Sequence, residues 1–420
     1  MSSEMEEWLC DSNDALSLSL IRAPEDKEAL HGDERKTVAP FHPAFTYPIY
    51  GEQEKIFGYK GLEIRLSFAS GSLKQMLDIS YDSKLDSEAT PADDVEGKLY
   101  QFIPPDYSKS SFSFEQTVDD DASNFKPLGE KIGSYARPSS SGTSRAKGKG
   151  KGKANGAAVE LKEDDPNAVV YEMYKSTWNT TGFREYHRRM QLFILLFIEG
   201  GSYIQEDEDA WEFITLFEKR RRADTDLCTY HFVGYTSVYP FWCFPDQVRL
   251  RLSQFVILPP YQSQGHGSKL YNALYLHALS RKDVAELTVE DPAEAFEDLR
   301  DRCDLRYLVS KGILDDPGFS DGVGADVRGP RAKWEEKVRK EYKIAQRQFD
   351  RVLEMLLLRE LDEKDPAKVK AFRLGVKARL YRFNYEMLSQ MTLEERKDAL
   401  AKTYESVVQD YRRILAQAFH

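Results

Sequence analysis

Apolar and polar positions alternate along several stretches of the chain, a pattern typical of half-buried strands. Residues 13–22 and 62–68 show this alternation near the N-terminus, with turn-forming and proline-rich segments between them. Residues 210–218 and 228–238 repeat it, and residues 253–258 form a β-branched and apolar run. The pattern predicts a small α+β unit near the N-terminus and a second sheet in the middle of the chain.

Helical periodicity appears between and after these strands. Residues 181–198 begin amphipathic and end wholly apolar, which predicts a helix packed across a sheet. Residues 268–279 predict a helix with one apolar face, formed by Leu270, Ala273, Leu274, His277 and Ala278. A strand over residues 284–290 and a helix from residue 293 to about 302 then complete a mixed α/β arrangement.

The last hundred residues carry helix signals only. Residues 334–361 are amphipathic over a long stretch, and Asp365 with Pro366 marks the start of a second helix. Thr392 with Glu395 predicts a capping box at the start of a third. Because no heptad repeat persists through the three segments, we expect a helical bundle and no coiled coil.

Composition divides the chain into four regions. We predict an N-terminal α/β domain over residues 1–136, an insert over 137–167, a central domain over 168–310 and a helical domain over 311–420. The insert is rich in serine, glycine and lysine and has almost no large apolar residue, so it cannot bury enough surface to order itself.

Lysines in the insert alternate with glycine or alanine at positions Lys147, Lys149, Lys151 and Lys153. A tethered basic linker or a nuclear import patch is the ordinary interpretation of such a run. The spacing also looks like the tail of the fourth core histone. A sharper hypothesis is therefore that the insert enters the protein's own active site, as an intramolecular pseudosubstrate or as a segment modified in cis.

Charge and cysteine content exclude several classes of protein. The 420 residues carry a formal net charge of −11, which disfavours direct nucleic-acid binding and suits a cationic substrate. The four cysteines have no paired spacing, so we expect a reducing compartment and no disulfide or zinc site. The acidic N-terminus does not resemble a signal peptide, and the longest apolar run is too short to span a membrane. We therefore expect a soluble intracellular protein.

The stretch between the strand at 253–258 and the helix at 268–279 carries the clearest chemistry. Gln262, Gly265 and Gly267 give the pattern Gln-x-x-Gly-x-Gly at the start of a helix. Glycines let a ligand approach bare backbone, and the unpaired N–H groups of a first helical turn attract anions. The spacing matches neither the dinucleotide fingerprint nor the P-loop. We expect a ligand with a pyrophosphate.

This loop resembles the acetyl-coenzyme-A loop of the GNAT acyltransferases, and further motifs narrow the resemblance to the type B histone acetyltransferase catalytic subunits. The motifs are SQFVILPPYQSQGHG at 253–267, EDP at 290–292, LRD at 299–301, IYGEQEKIFGYKG at 49–61 and DDVEGKLYQFIPP at 93–105. The resemblance implies an α+β fold, with a GNAT-type mixed sheet and flanking helices between an N-terminal α/β domain and a C-terminal helical bundle.

The same resemblance implies an activity and partners. The expected reaction is acetyl transfer from acetyl-CoA to lysines in the N-terminal tail of newly made, free histone four, in the cytoplasm and nucleus. The expected partner is a WD-repeat histone chaperone. Two other interpretations stay open: a GNAT enzyme with another protein or amine acceptor, and a histone-binding scaffold without activity.

Glu290 is the predicted general base. Less than about 1 % of a lysine side chain is uncharged at neutral pH, so the enzyme must remove a proton. In the strand pattern Glu290 lies at the carboxyl end and points away from the buried layer, where partial desolvation would raise its basicity. The resemblance assigns it the same role. Asp291 is the second candidate, either as a base or as a ligand for the incoming ammonium, although Asp-Pro often only caps the next helix.

Coenzyme contacts follow from the resemblance. Main-chain groups of one strand would contact the acetyl and pantetheine parts, namely Phe255, Val256 and Ile257. The loop would hold the pyrophosphate through Gln262, Ser263, Gln264, Gly265, His266, Gly267 and Ser268. For His266 we favour contact with the pyrophosphate or a packing role over catalysis. Ala293 offers a backbone contact only, and Arg302 is either a phosphate ligand or a surface residue of a helix.

Substrate contacts are predicted in two places. The resemblance places Glu52, Gln53 and Glu54 on the path of the histone tail, where carboxylates would attract lysines, although a solvated turn is the plain alternative. It also places Tyr239, Pro240 and Phe241 beside the tail. The segment 238–246 lies between predicted strands and is either part of a core or a rigid exposed loop, and core packing is a serious alternative for Trp242 and Phe244. No metal site is expected.

Overall fold

The computed structural model describes residues 6–139, 161–165, 168–222, 225–320 and 330–419. The lysines of the predicted insert at positions 147–153, and the roles proposed for them, lie outside the described residues. Within the described ranges, no helix has the length and apolar character needed to cross a membrane.

Strands and helices alternate through the first two thirds of the chain, and helices follow. The strands are β1 Leu9–Asp11, β2 Leu16–Ile21, β3 Lys55–Phe57, β4 Tyr59–Lys60, β5 Glu63–Ala69, β6 Gln75–Ser80, β7 Ser83–Lys84, β8 Glu130–Pro138, β9 Ala168–Thr177, β10 Glu212–Arg221, β11 Cys228–Cys243, β12 Gln247–Ile257 and β13 Val284–Val289. The α-helices are α1 Ser12–Ala15, α2 Pro24–Glu28, α3 Tyr47–Tyr50, α4 Val95–Tyr100, α5 Ser111–Asn124, α6 Phe183–Met190, α7 Leu192–Phe197, α8 His266–Ser280, α9 Glu294–Ser310, α10 Pro317–Ser320, α11 Pro330–Glu341, α12 Gln346–Arg359, α13 Pro366–Phe383, α14 Tyr385–Ser389 and α15 Leu393–Phe419. Short 3₁₀ turns are Gly32–Val38, Pro259–Tyr261 and Ile313–Asp315.

Backbone contacts divide the chain into two compact units. The first unit contains Met1–Tyr239 and Ser253–Ala273, and the second contains Pro240–Leu252 and Leu274–His420. The boundaries predicted at residues 136, 167 and 310 rest on composition and stay a prediction. Contacts divide the chain elsewhere because β11, β12 and α8 each contribute residues to both units.

Antiparallel strands form the large sheet of the first unit, in the order β8, β9, β10, β11, with the end of β12 next to β11. Strand β8 had been included in the N-terminal region, yet it pairs with β9 along the register from Glu130↔Lys175 to Pro138↔Ala168. The insert therefore connects two neighbouring strands of one sheet.

A smaller sheet lies in the N-terminal part of the first unit, with β2 parallel to β5 and β5 antiparallel to β6. The strand predicted over residues 13–22 begins later, at Leu16. A short helix precedes it, because the Asp11 carboxylate accepts a hydrogen bond from the N–H of Asn13 and caps that helix. The leucines of β2 are fully buried, as its alternation predicted.

Two helices, α6 and α7, replace the single helix predicted over residues 181–198, with a break at Gln191. They pack aromatic side chains against the sheet. The fully buried phenylalanines of this core are Phe183, Phe193, Phe213, Phe217 and Phe232. Full burial of such a side chain contributes about 2 kcal/mol each, so this core is a main source of the unit's stability.

The second unit contains the parallel pair β12 and β13 and the C-terminal helices. Leu250 pairs with Leu287 and Leu252 with Val289. The long helix predicted over residues 334–361 is broken into α11 and α12 at Lys343, whose φ is +51°. Helix α15 packs against α9 and α13, which gives the predicted bundle.

The helix starts predicted in this bundle are confirmed. The Asp365 carboxylate accepts hydrogen bonds from the N–H groups of Ala367 and Lys368. At α15, the N–H of Thr392 donates to the Glu395 carboxylate, and the N–H of Glu395 donates to the Thr392 hydroxyl. Local sequence is sufficient to predict such caps, because donor and acceptor lie within three residues of each other.

Candidate functional site

The glycine-spaced loop leads from β12 into α8 in the first unit. Strand β12 ends at Ile257, a 3₁₀ turn follows, and α8 begins at His266. Gly265 has a φ of +84° and Ser263 one of +58°. Glycine adopts the left-handed region without strain, so Gly265 is suited to the tight entry into the helix. The first-turn N–H groups of α8 have no acceptor within the helix and can bind an anion.

Two glutamines hold this loop in place. The Gln262 side-chain amide donates to the carbonyl of Ile257 at 2.8 Å, and that of Gln264 donates to the carbonyl of Pro260 at 3.0 Å. Both residues and Gly265 are exposed, whereas Gly267 and Ser268 are partly buried. The side chains therefore fix the loop, and its backbone is left to contact a ligand.

His266 is a packing residue, one of the two roles favoured from sequence. Its side chain is 1 % exposed, and its ring centroid lies 4.4 Å from that of Tyr171. Nδ1 lies 2.6 Å from the Tyr135 hydroxyl. Burial, and then Arg137, lowers the pKa of His266 to about 4, so the imidazole is neutral at physiological pH. This neutral ring ties the start of α8 to strands β8 and β9.

Two basic side chains lie beside the loop that the sequence did not predict there. A Cβ atom placed on Gly265 would lie 3.7 Å from Nη1 of Arg137, which projects from β8. Lys269 is in the next turn of α8, with Nζ 5.5 Å from the Tyr135 ring. Bare backbone, a helix N-terminus and two cations fit a pyrophosphate. Arg137 was missed because 128 positions separate it from Gly265.

The strand before the loop is held close to β11. A Cβ atom on Gly234 would lie 2.2 Å from the carbonyl oxygen of Val256, so only glycine fits there. The Thr236 hydroxyl also donates to the carbonyl of Gln254 at 2.8 Å. These contacts fix the backbone of Phe255, Val256 and Ile257, whose roles toward the acetyl and pantetheine groups stay predictions.

Glu290 directly follows β13 in the second unit. Its N–H donates to the carbonyl of Leu252 at 3.0 Å, and a carboxylate oxygen lies 3.7 Å from Nη1 of Arg251. The side chain is 47 % exposed, whereas Leu287 is buried. Glu290 therefore points away from the buried layer, as predicted, and its role as base stays a prediction.

Asp291 does not cap the helix that follows it. It is exposed with a φ of +33°, and the N-cap of α9 is Ala293, which makes no side-chain capping bond. The cap alternative for Asp291 is therefore wrong. The Ala293 carbonyl accepts hydrogen bonds from Phe296 and Glu297, which are ordinary contacts of a first helical turn.

Arg302 has a partner in the C-terminal bundle. Its Nη1 donates to the side-chain oxygen of Gln417 on α15. This contact favours the alternative that Arg302 is a residue of the helix surface. Among the described residues, no group of three or more histidine, cysteine, aspartate or glutamate side chains could hold a metal ion.

The predicted acidic contacts of the substrate have different environments. Glu52 and Gln53 are exposed. Glu54 is partly buried, and its Oε1 accepts hydrogen bonds from the N–H groups of Thr46 at 2.7 Å and Tyr47 at 3.2 Å. Glu54 thus stabilises the start of α3, and Glu52 is the carboxylate better placed to attract a cation in solution.

The predicted aromatic contacts lie on β11, which extends to Cys243 through the segment expected between strands. Tyr239 is partly buried in the first unit, with its ring 5.0 Å from that of Trp211. Pro240 is also partly buried.

Phe241 lies in the second unit and is 39 % exposed. Trp242 and Phe244 are 70 % and 80 % exposed, so the core-packing alternative is wrong for both. Trp242 is next to the last residue of β11 and Phe244 is in the turn that leads to β12, so both lie where the strand pair ends.

Comparison with protein families gives matches along most of the chain. A model described as "Histone acetyl transferase HAT1 N-terminus" matches residues 8–199, and "Acetyltransferase (GNAT) family" matches residues 169–297. "Fungal HAT1, C-terminal" matches residues 301–362. These matches confirm the predicted fold class, a GNAT-type sheet with flanking helices between an N-terminal domain and C-terminal helices.

Curated proteins named "Histone acetyltransferase type B catalytic subunit" are similar to the chain over its length. The protein of Cryptococcus neoformans var. neoformans serotype D is 66 % identical and covers 100 % of both chains. That of Mycosarcoma maydis is 48 % identical, over 96 % of this chain and 87 % of its own. The protein of Rattus norvegicus is 30 % identical, over 98 % and 94 %.

Proposed function

The chain belongs to the family of type B histone acetyltransferase catalytic subunits, and we propose that it acetylates lysines in the N-terminal tail of free histone four, with acetyl-CoA as the donor. The observation that supports the donor is the loop at residues 262–268. It combines a left-handed Gly265, the open first turn of α8 and the nearby cation Arg137. Each of these features favours a pyrophosphate.

Proton removal is the task of the protein in this reaction. A lysine ammonium has a pKa near 10.4, so its nitrogen carries no lone pair for attack at neutral pH. Acetyl-CoA, when bound, supplies an acetyl group as a thioester that a neutral amine can attack. Glu290 accepts the proton directly or through one water, since the bond from its N–H to the carbonyl of Leu252 holds its backbone at the end of β13 and its carboxylate is exposed there. Asp291 is the alternative base.

Release of coenzyme A from a histone-four tail peptide tests this proposal. We expect Glu290→Gln to lower turnover by about 10²-fold with unchanged affinity for acetyl-CoA, and Asp291→Asn to have the smaller effect. Full activity of Glu290→Gln would reject Glu290 as the base. If the wild-type enzyme prefers a polyamine or another histone tail, the proposed substrate is wrong. If the wild-type protein has no activity, the scaffold interpretation is favoured.

We propose a WD-repeat histone chaperone as the partner and the β11–β12 hairpin as its contact, in a protein that acts in both the cytoplasm and the nucleus. The supporting observation is the exposure of Trp242 and Phe244, since large exposed aromatic side chains are typical of interface anchors. Binding of the purified chaperone should fall at least tenfold in the variant Trp242→Ser/Phe244→Ser. Unchanged binding would reject the hairpin as the contact.

A further inference from the structure

Charged side chains line the exposed face of the β12–β13 pair in the second unit. Arg249 pairs in register with Glu286, and Arg251 with Thr288. Glu286 receives two guanidinium groups, from Arg249 at 2.5 Å and from Arg339 on α11 at 3.0 Å. This carboxylate is therefore neutralised by close contacts.

Arg251 is held differently. Its guanidinium lies 4.3 Å from the centre of the Phe241 ring, and its closest nitrogen is 3.7 Å from the Glu290 carboxylate. That distance is too long for a hydrogen bond, and the two side chains are 37 % and 47 % exposed. A loose exposed pair of this kind adds little to folding stability. The aromatic ring nevertheless holds the cation beside the carboxylate.

A cation at this position has a consequence for an incoming lysine. A lysine nitrogen that reaches Glu290 comes within a few ångströms of the Arg251 guanidinium. Repulsion between two cations disfavours the ammonium form and leaves the neutral amine almost unaffected. The same effect makes lysine side chains nucleophilic in enzymes that place a second cation next to them.

We propose that Arg251 is an electrostatic positioning residue, which favours the uncharged form of the substrate lysine at Glu290 and is itself held in place by Phe241. This role rests on the proposed function, with Glu290 as the base. Arg251 touches no reacting atom and acts through the charge that it places beside the base. Asp291, Arg249, Glu286 and Arg339 are other charged groups described around this face, and Arg249 and Arg339 are both paired with Glu286. Arg281, Lys282, Lys340 and Lys343 line the same surface on the side of Arg249 and Glu286.

The test is the pH profile of kcat, which reports ionisations in the enzyme–substrate complex, for a histone-four tail peptide in wild type, Arg251→Gln and Arg251→Lys. We expect the glutamine variant to shift the acidic limb of the profile by about one pH unit to higher pH, which is a loss of about tenfold at pH 7. The KM for the peptide should stay equal or fall, because a repulsion has been removed. The lysine variant keeps the charge and should restore the limb to the wild-type position.

Arg249→Gln is the matched control, since it removes a neighbouring guanidinium that pairs with Glu286 instead of Glu290. The acidic limb of the pH profile of this variant should stay at the wild-type position. If Arg251→Gln lowers the rate but leaves the acidic limb of the pH profile in its wild-type position, the proposal is overturned in favour of a structural role. A gain in rate would also overturn it, because Arg251 would then block the site.

Failure of the inference can be separated from failure of the proposed function. If Glu290→Gln is inactive and the Arg251→Gln profile is unchanged, only the inference fails. If Glu290→Gln is fully active, the premise itself fails. Thermal unfolding of each variant shows whether the fold is intact.

Discussion

The side chains of Arg22 and Glu218 form an ion pair with no solvent exposure, with Nη2 and Oε2 2.7 Å apart. The Tyr261 hydroxyl donates to the same carboxylate at 2.8 Å, and Tyr261 directly precedes Gln262 of the loop. Burial opposes the ionisation of Glu218, but Arg22 and Arg220 outweigh it and hold the pKa of this carboxyl well below its usual value. A buried charge cluster thus supports the loop from behind.

Removal of one partner should expose the cost of this buried charge. We expect Arg22→Met to reduce the free energy of unfolding by about 3–5 kcal/mol, because Glu218 keeps its charge without its main partner. The double variant Arg22→Met/Glu218→Leu should recover part of that loss. Urea denaturation at pH 7 measures the free energy of unfolding of wild type, Arg22→Met, Glu218→Leu and the double variant. Purely additive effects of the two single changes would contradict a coupled pair.

Acid sensitivity should be traceable in part to His187. This side chain is fully buried, neither ring nitrogen has a hydrogen-bond partner among the described residues, and burial lowers its pKa to about 3. Below pH 6.5 the unfolded chain therefore takes up a proton that the folded chain does not bind, so stability falls as pH decreases toward 3. The loss is about 2 kcal/mol between pH 7 and pH 5.

His187→Leu should remove this contribution, so that the free energy of unfolding falls less between pH 7 and pH 5 than in wild type. Gln53→Leu is the control, because Gln53 is exposed and has no titratable group, and its pH dependence should match that of wild type. Denaturant titrations at several pH values measure the slopes. Equal slopes for His187→Leu and wild type would contradict the prediction.

Gly265 should be needed for its backbone conformation. An added methyl group would have room, since the nearest atom is 3.7 Å away, but a φ of +84° costs a non-glycine residue about 1–2 kcal/mol. We expect Gly265→Ala to weaken acetyl-CoA binding about tenfold in calorimetry. Gly375→Ala in α13, where a methyl group meets no atom within 4 Å, should leave binding unchanged and increase stability.

Arg137 should contribute charge to coenzyme binding. We expect Arg137→Gln to weaken binding of acetyl-CoA several-fold and to reduce its dependence on salt, because one cation near the phosphates is lost. Arg65→Gln is a suitable control, as Arg65 is exposed and pairs with Glu63 and Asp78 on the small sheet. An unchanged salt dependence in Arg137→Gln would place the phosphates elsewhere.

Tyr239 should act on the peptide and leave the coenzyme unaffected. Its ring packs edge-on against Trp211, so both aromatic surfaces are held rigid and a peptide can bind them at low entropic cost. We expect Tyr239→Ala to raise the KM for the tail peptide about tenfold with little change for acetyl-CoA. Tyr385→Ala, a change of an exposed tyrosine in the C-terminal bundle, should change neither value.

Local signals in the sequence predicted the loop and the helix caps. The pattern from Gln262 to Gly267 lies in one turn, and the caps at Asp365 and Thr392 involve neighbours within three residues. Such features depend on nearby backbone geometry, so a single sequence carries them. The position of Glu290 after β13 followed for the same reason.

Features that depend on distant residues were missed. Arg22 and Glu218 are 196 positions apart, and neither stands out from its neighbours in sequence. The breaks at Gln191 and Lys343 interrupt stretches with continuous helical patterns. Tertiary packing decides where a helix breaks, because the free energy lost by a backbone irregularity is small compared with that gained by burying a large apolar side chain.

Pro138 and Ala168 are register partners on β8 and β9, so the two ends of the insert lie side by side. The entropy of closing a loop grows only with the logarithm of its length, and each doubling costs about 0.6 kcal/mol. Evolution can therefore lengthen or shorten this connection without disturbing strand alignment. For the same reason, a fluorescent reporter whose own termini are adjacent can be spliced into the enzyme at this point.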